Sequence, residues 1–320
     1  MATGGQARNH HWIPQCYLKG FSKNRSKNAK LFVVDTIGRK TFETIPRNVA
    51  SARDFNRFDA PGVAPDHFES EYSRFEGLAD KALERLCTTH HFGNDEDHNL
   101  ILNLIALLVA RNPLMRENSR QFQERALKLM MSITLATKDR YEASLTQAVR
   151  AGAVERDSDV TYESMREFVN GERYTIEIPT TRHVELELQL SSTVLPLLGQ
   201  RDWLLIRAPT LTGGFVTCDH PVVLQWSEQK DRGASCSPGF ALQGTDVIFT
   251  LSHELALLGT FGGENGEIDA VPDLVALING IVISHAHRQI YAKDNRFRYA
   301  TASGVVRRGA DIVQDLSAPP

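Results

Sequence analysis

The spacing of apolar positions changes period several times along the chain. Helical spacing comes first. Tyr17, Leu18 and Phe21 fall on one face three to four residues apart, and Pro14 suits the first turn of a short helix there. His10 and His11 are then expected in the loop leading into that helix. Residues 30–35 and 39–45 read as strands of a hairpin, with Thr36-Ile37-Gly38 as a turn whose glycine is free to take positive φ. The hairpin is expected to pack on the N-terminal segment. Residues 46–65, with Pro46, Pro61 and Pro65, read as irregular.

A helical stripe returns at Phe68, Tyr72, Phe75, Ala79, Ala82 and Leu86, with Asp66 as its cap and an end near Thr88. Glu69 and Glu76 share a face of this helix, and Glu76 lies at the edge of the stripe. Asn94 or Asp95 caps the next helix, 97–111, which is apolar on nearly all sides and therefore bound for the interior. Arg111-Asn112-Pro113 ends or kinks it. Further helices are expected at about 114–136, at 139–150 closing at Gly152, and at 161–170 closing at Gly171, with an exposed loop at 155–159. Beyond Arg173 the pattern predicts a short strand at 174–178 and a helix from Thr181 to about Leu198. Strands follow at 203–207, 214–218, 222–226, 246–251 and 255–260, each β-branched or aromatic and bounded by turn residues. Residues 262–266 read as a loop, Pro272 to about His287 as a helix, 289–292 as an edge strand, and the tail from 311 as loose. The fold class is therefore α+β: an N-terminal β-hairpin, a helical middle over 66–199 and a C-terminal, mostly antiparallel sheet over 200–300. One domain is expected to cover 1–310.

With 320 residues, 42% of them hydrophobic and 23% charged, the chain has the composition of a soluble globular protein with a sizeable core. A formal charge of -3 argues against a long nonspecific duplex-binding surface, while leaving room for a nucleotide or a nucleic-acid end held by a few arginines. Cys16, Cys87, Cys218 and Cys236 lie far apart with no Cys-x-x-Cys pair, against a thiolate zinc site or a disulfide framework. No run reaches the roughly 20 apolar residues of a membrane span, and the expected location is the cytoplasm.

Candidate chemistry lies in four segments. The stretch from Asn9 to Phe21 carries His10 and His11 in a run too apolar for a loose tail. Arg111 emerges from a buried helix at a break, either as an internal ion pair with Glu76 or as an anion clamp. Arg116 and Arg120, four apart at a helix start, would be better tolerated with a phosphate or carboxylate between them. Asp219 ends a strand before Pro221, either as a rigid metal ligand or base or as a turn-former accepting backbone N–H groups. Asn279 interrupts an apolar helix and needs partners, from a loop or from a ligand. No nucleophile elbow and no cysteine paired with a histidine is present.

These segments also carry a resemblance. His11 to Pro14, then Gln15, Tyr17 and Leu18, match the His-x-x-Pro-Gln-x-Tyr-Leu pattern of the family catalogued as domain of unknown function 4238. Arg111 with Arg116, the run 215–222 and Asn279 resemble it further, over about residues 9–293. His220 departs from the Asn that commonly follows the aspartate in relatives. The resemblance brings no established activity. On the residues themselves, the favoured expectation is a phosphodiester hydrolase, nuclease-like and acting on RNA or DNA through activated water. His11, Asp219, Arg111 and Asn279 would be catalytic, meeting in one cleft, and His10, Gln15, Tyr17, Arg116 and His220 would bind ligand. A divalent metal on Asp219 is the cofactor considered. The alternative is a noncatalytic module binding a nucleotide, a nucleic-acid end or a protein partner.

Overall fold

The computed structural model describes residues 9–57, 62, 64, 67–155, 160–228 and 236–316. Two compact units emerge, one from the residues up to Pro113 together with those from Val184 onward, the other from Leu114–His183. Helix accounts for 48% and strand for 19%, with the antiparallel N-terminal strands, helical middle and C-terminal sheets of an α+β protein.

In the first unit, β1 (Asn9–His11) leads into α1 (Gln15–Leu18) and a 3-10 turn, Lys19–Phe21. The histidines thus lie in a strand rather than a loop, because β1 pairs antiparallel with β4 (Ser51–Arg53). Pro14 stands just outside α1, as its N-cap. Between them run β2 (Leu31–Asp35) and β3 (Lys40–Thr44), the expected hairpin. Its positive φ falls on Arg39 (47°) rather than on Gly38, whose N–H instead donates to Asp35 Oδ1 at 2.8 Å.

Next come α2 (His67–Thr89) and α3 (Asp95–Ala110), the latter capped by Asn94, whose side chain accepts from the Asp97 N–H. The expected cap Asp66 lies outside the described residues, as do Pro61, Pro65 and 156–159 of the expected loop. After α4 (Pro113–Thr134), α5 (Lys138–Arg150), α6 (Tyr162–Asn170) and α7 (Thr180–Leu198), the strands are β5 (Asp202–Arg207), β6 (Thr217–Cys218), β7 (Val222–Trp226), β8 (Thr245–Thr250), β9 (Leu255–Thr260) and β10 (Gly266–Asp269). Then follow α8 (Pro272–His285), β11 (Gln289–Ala292), β12 (Arg298–Ala300), β13 (Val306–Arg308) and α9 (Ile312–Asp315). Residues 174–178, expected as a strand, run to Pro179 without a strand assignment or a partner. The tail expected to be loose contains α9, whose Ile312 is buried.

Two sheets organise the first unit. One has the order β10-β5-β9-β8-β7, antiparallel except where β10 joins β5 in parallel. The other, β3-β2-β11-β6, sets the N-terminal hairpin beside two late strands, so β11 is interior and not an edge. Alternation assigns the faces. Val33, Leu205, Val222, Val247, Leu257 and Tyr291 enter the core formed with α1, α2 and α3, while Val34, Ile206, Val223, Ile248, Ala256 and Ile290 enter the core under α8. Both faces of the strands are covered, which accounts for their nearly continuous apolar runs.

Within the second unit, Leu135 and Tyr141 are the buried hydrophobics among the described residues. No single helix among the described residues is long and apolar enough to cross a membrane.

Candidate acid-base site at the N-terminal strand

Arg111 is the largest fully buried side chain, 1% exposed, at the point where α3 stops before Pro113. Its Nη2 donates to the backbone carbonyl of His11 at 2.5 Å, and its guanidinium lies 4.1 Å from the centre of the Tyr72 ring. Nη1 stands 4.0 Å from Glu76 Oε1, too far for a hydrogen bond, and neither Nε nor Nη1 has a hydrogen-bond partner among the described residues. The ion pair with Glu76, one of the two sequence readings, is thus present but loose.

Around this cation α2 contributes two carboxylates and β1 two imidazoles. Burial pushes the Glu76 carboxyl up to about 6 against the pull of Arg111, with Glu69 adding to the rise. Burial also lowers the pKa of His11, outweighing the Arg47 carbonyl and Glu69, which raise it. Nε2 of His11 donates to that carbonyl at 3.1 Å, leaving Nδ1 as the ring's lone-pair atom. Asn56 ties the neighbours together: its N–H donates to His10 Nδ1 at 2.8 Å and its Nδ2 to Glu69 Oε2 at 2.6 Å. The carboxyl is thus raised and the imidazole lowered, each mainly by burial, and each feels the charge of Arg111. Sequence reasoning placed Glu76 at a stripe edge and as a candidate partner of Arg111, gave it no acid role, and did not register Asn56. The available signal was an acid on the α2 face that meets the interior helix bearing Arg111.

The other expected residues have partners of their own. Asn279 is fully buried, and its amide is saturated by backbone: Val216 N–H donates to Oδ1 at 2.9 Å, and Nδ2 donates to the Gly214 and Arg298 carbonyls at 3.0 and 2.8 Å. It locks the segment before β6 to α8 and β12, so of the two expected kinds of partner, loop or ligand, backbone is the one seen. Asp219 accepts three backbone N–H groups, from His287, Arg288 and Gln289 at 2.9, 2.8 and 3.1 Å. Its pKa is nonetheless raised, mainly by burial. A carboxylate facing three fixed N–H dipoles does not suit a cation, so the metal expectation does not fit this group, and the turn-forming alternative describes it. Among the described residues no three His, Cys, Asp or Glu groups are placed to hold a metal ion.

Tyr17 is fully buried: its O–H donates to the Thr250 carbonyl, and the Thr217 hydroxyl donates back, both at 2.7 Å. It pins α1 to the strand that leads to Asp219. Gln15 opens α1, half-buried. His220 stacks on His285, with Nδ1 and Nε2 2.8 Å apart, and burial brings it down to about 4, aided by repulsion from His285 and His287. Arg116 belongs to the second unit, where its neighbour Arg120 is paired with Glu117 and Glu124 of its own helix, both at 2.8 Å. Of the four residues expected in one cleft, Arg111 thus meets His11 through its backbone carbonyl, while Asp219 and Asn279 brace backbone.

No curated protein and no solved structure matches the chain. A family model described as "Protein of unknown function (DUF4238)" matches residues 9–296, and the chain belongs to that family.

Proposed function

We propose that the chain is a hydrolase of phosphodiesters, nuclease-like, with Glu76 as acid and His11 as base. One observation carries this reading: a carboxyl held near pH 6 and an imidazole lowered in pKa flank an arginine with two unpartnered N–H groups. Burial keeps the carboxyl protonated to higher pH, so it is available as an acid, and keeps the histidine unprotonated to lower pH, so it is available as a base. In the proposed step water attacks phosphorus, His11 Nδ1 takes its proton, and Glu76 protonates the departing ester oxygen. The products are a phosphomonoester and an alcohol. Arg111 favours the negative charge that develops and, by holding the His11 carbonyl, fixes the strand bearing the base. The four free cysteines accord with a cytosolic setting.

Turnover of a chromogenic phosphodiester and of RNA and DNA oligonucleotides tests the reading. We expect Glu76→Gln and His11→Ala each to lower kcat by roughly 10²–10⁴. The wild-type rate should fall above about pH 6 as Glu76 loses its proton. Oligonucleotide binding without turnover would instead leave the noncatalytic module suggested by the same residues. Both variants turning over at the wild-type rate would remove the acid-base pair.

A further inference from the structure

A second concave site lies away from this cluster, a cleft of about 470 Å³ whose lining includes His253, Glu254, Lys293, Asp294, Arg296 and the glycines 213–214. Its wall depends on those glycines. Gly213 and Gly214 have φ of 77° and 82°, and a Cβ on either would come within 2.4 Å of the Arg296 backbone or 2.2 Å of the His253 carbonyl. The Asn279 amide holds the Gly214 carbonyl, and the Phe215 N–H donates to the His253 carbonyl at 2.8 Å, so the wall is braced from behind.

At the floor, His253 is 7% exposed and fixed in one tautomer. Nδ1 donates to the Gly20 carbonyl at 2.8 Å, so Nε2 presents its lone pair to Lys293 Nζ at 3.0 Å, with Glu254 Oε1 3.4 Å away. Most charges lining the cleft are matched. Arg296 holds Asp294 at 2.5 and 3.0 Å, Arg25 reaches Glu254 at 3.3 Å, and Arg207 is held by Glu267 and Asp269 at 2.8 and 2.7 Å. Lys293 has no carboxylate within 4.0 Å among the described residues, and its one hydrogen-bond partner there is the His253 imidazole. Two of its three N–H donors remain unused.

We propose that this cleft binds a small molecule through a compact oxyanion, phosphate or carboxylate, seated on Lys293. The bound group accepts the two remaining ammonium donors, and His253, positioned by Gly20, orients the lysine. An ammonium on a flexible stem with no carboxylate paired to it within 4.0 Å among the described residues, set in a concavity large enough for a metabolite, is an arrangement that takes such a group.

The test is calorimetric titration of the full chain with inorganic phosphate, pyrophosphate and citrate, at low and moderate salt. We expect saturable binding of at least one, with the phosphate and citrate arms naming the oxyanion. Affinity should fall at least about tenfold in Lys293→Met, the loss of a charge-assisted contact. Lys293→Arg, which keeps the charge, should retain most of the affinity and shows whether a loss in the methionine variant is merely a folding defect. No binding by any of the three oxyanions would overturn the proposal. So would affinity unchanged within twofold in Lys293→Met. Binding lost in Glu76→Gln but kept in Lys293→Met would place the anion at the other site and overturn it equally.

Discussion

Arg111 and Asn279 are both polar side chains in apolar helices, and their surroundings treat them oppositely. Asn279 has all its hydrogen-bonding groups engaged by backbone, whereas Arg111 keeps two donors unpartnered beside an ionisable carboxyl. Asn279→Ala would leave a buried N–H and two carbonyls unmatched, so we expect a loss of about 3 kcal/mol or more in denaturant unfolding. Glu76 carries a pH signature. Its folded pKa of about 6 exceeds the ordinary 4.5, so its contribution to stability is fully present below 4.5 and is lost as pH rises through 6. The raised pKa corresponds to about 2 kcal/mol. We therefore expect the unfolding free energy of the wild type, relative to Glu76→Gln, to fall by up to about that amount between pH 4.5 and 7. A flat difference would mean that the carboxyl is not held as the geometry requires.

At the scale of elements, the segment from Gly214 to His220 is where distant parts of the chain meet. Tyr17 of α1 reaches Thr217, Asn279 of α8 reaches Val216, and Asp219 collects the N–H groups that open β11. The stacked His220 and His285 close the C-terminal end of α8. Because His220 is brought down to about 4 from the ordinary 6.5, its contribution is present above 6.5 and is lost as pH falls toward 4. His220→Asn, which keeps a polar side chain but cannot take up a proton, should remove that acid sensitivity. The gap between its melting temperature and the wild type's should move in favour of the variant on acidification from pH 7 to 4.5, as followed by circular dichroism. Much of this architecture was legible in advance. The α3 cap at Asn94, the hairpin and the α8 boundary at Pro272 follow from local propensity and periodicity. The strand status of β1 and β10, the interior place of β11 and the absence of a strand at 174–178 do not, since pairing with remote residues decides them. The candidate site was half legible for the same reason. A polar residue in an apolar run announces that it needs partners, but only the tertiary fold says whether those are backbone alone, as for Asp219 and Asn279, or backbone with a titratable neighbour, as for Arg111 beside Glu76.

At the scale of the molecule, the two units differ in what holds them. The first unit contains two cores, one on each face of its strands, with Leu104, Val247 and Phe249 fully buried in one and Val275 and Ile290 in the other. The second retains Leu135 and Tyr141, each 8% exposed, as its buried hydrophobics, while Phe122, Leu129 and Met130 of α4 are 73%, 61% and 61% exposed. Its contacts include helix caps at Thr137 and Thr161, solvent-exposed ion pairs along α4, and the Tyr162 O–H on the Leu135 carbonyl, none of which buries much apolar surface. Local opening costs least where few apolar contacts are lost. Amide hydrogens of α4, α5 and α6 should therefore exchange well before those of α3, β8 and β9, which lie between covered faces. Hydrogen exchange read by mass spectrometry at pH 7 checks this directly. Peptides from 114–170 should label within minutes while those spanning 101–110 and 245–260 stay protected for hours. Equal protection in the two sets would mean that the second unit is held by contacts stronger than its own burial supplies.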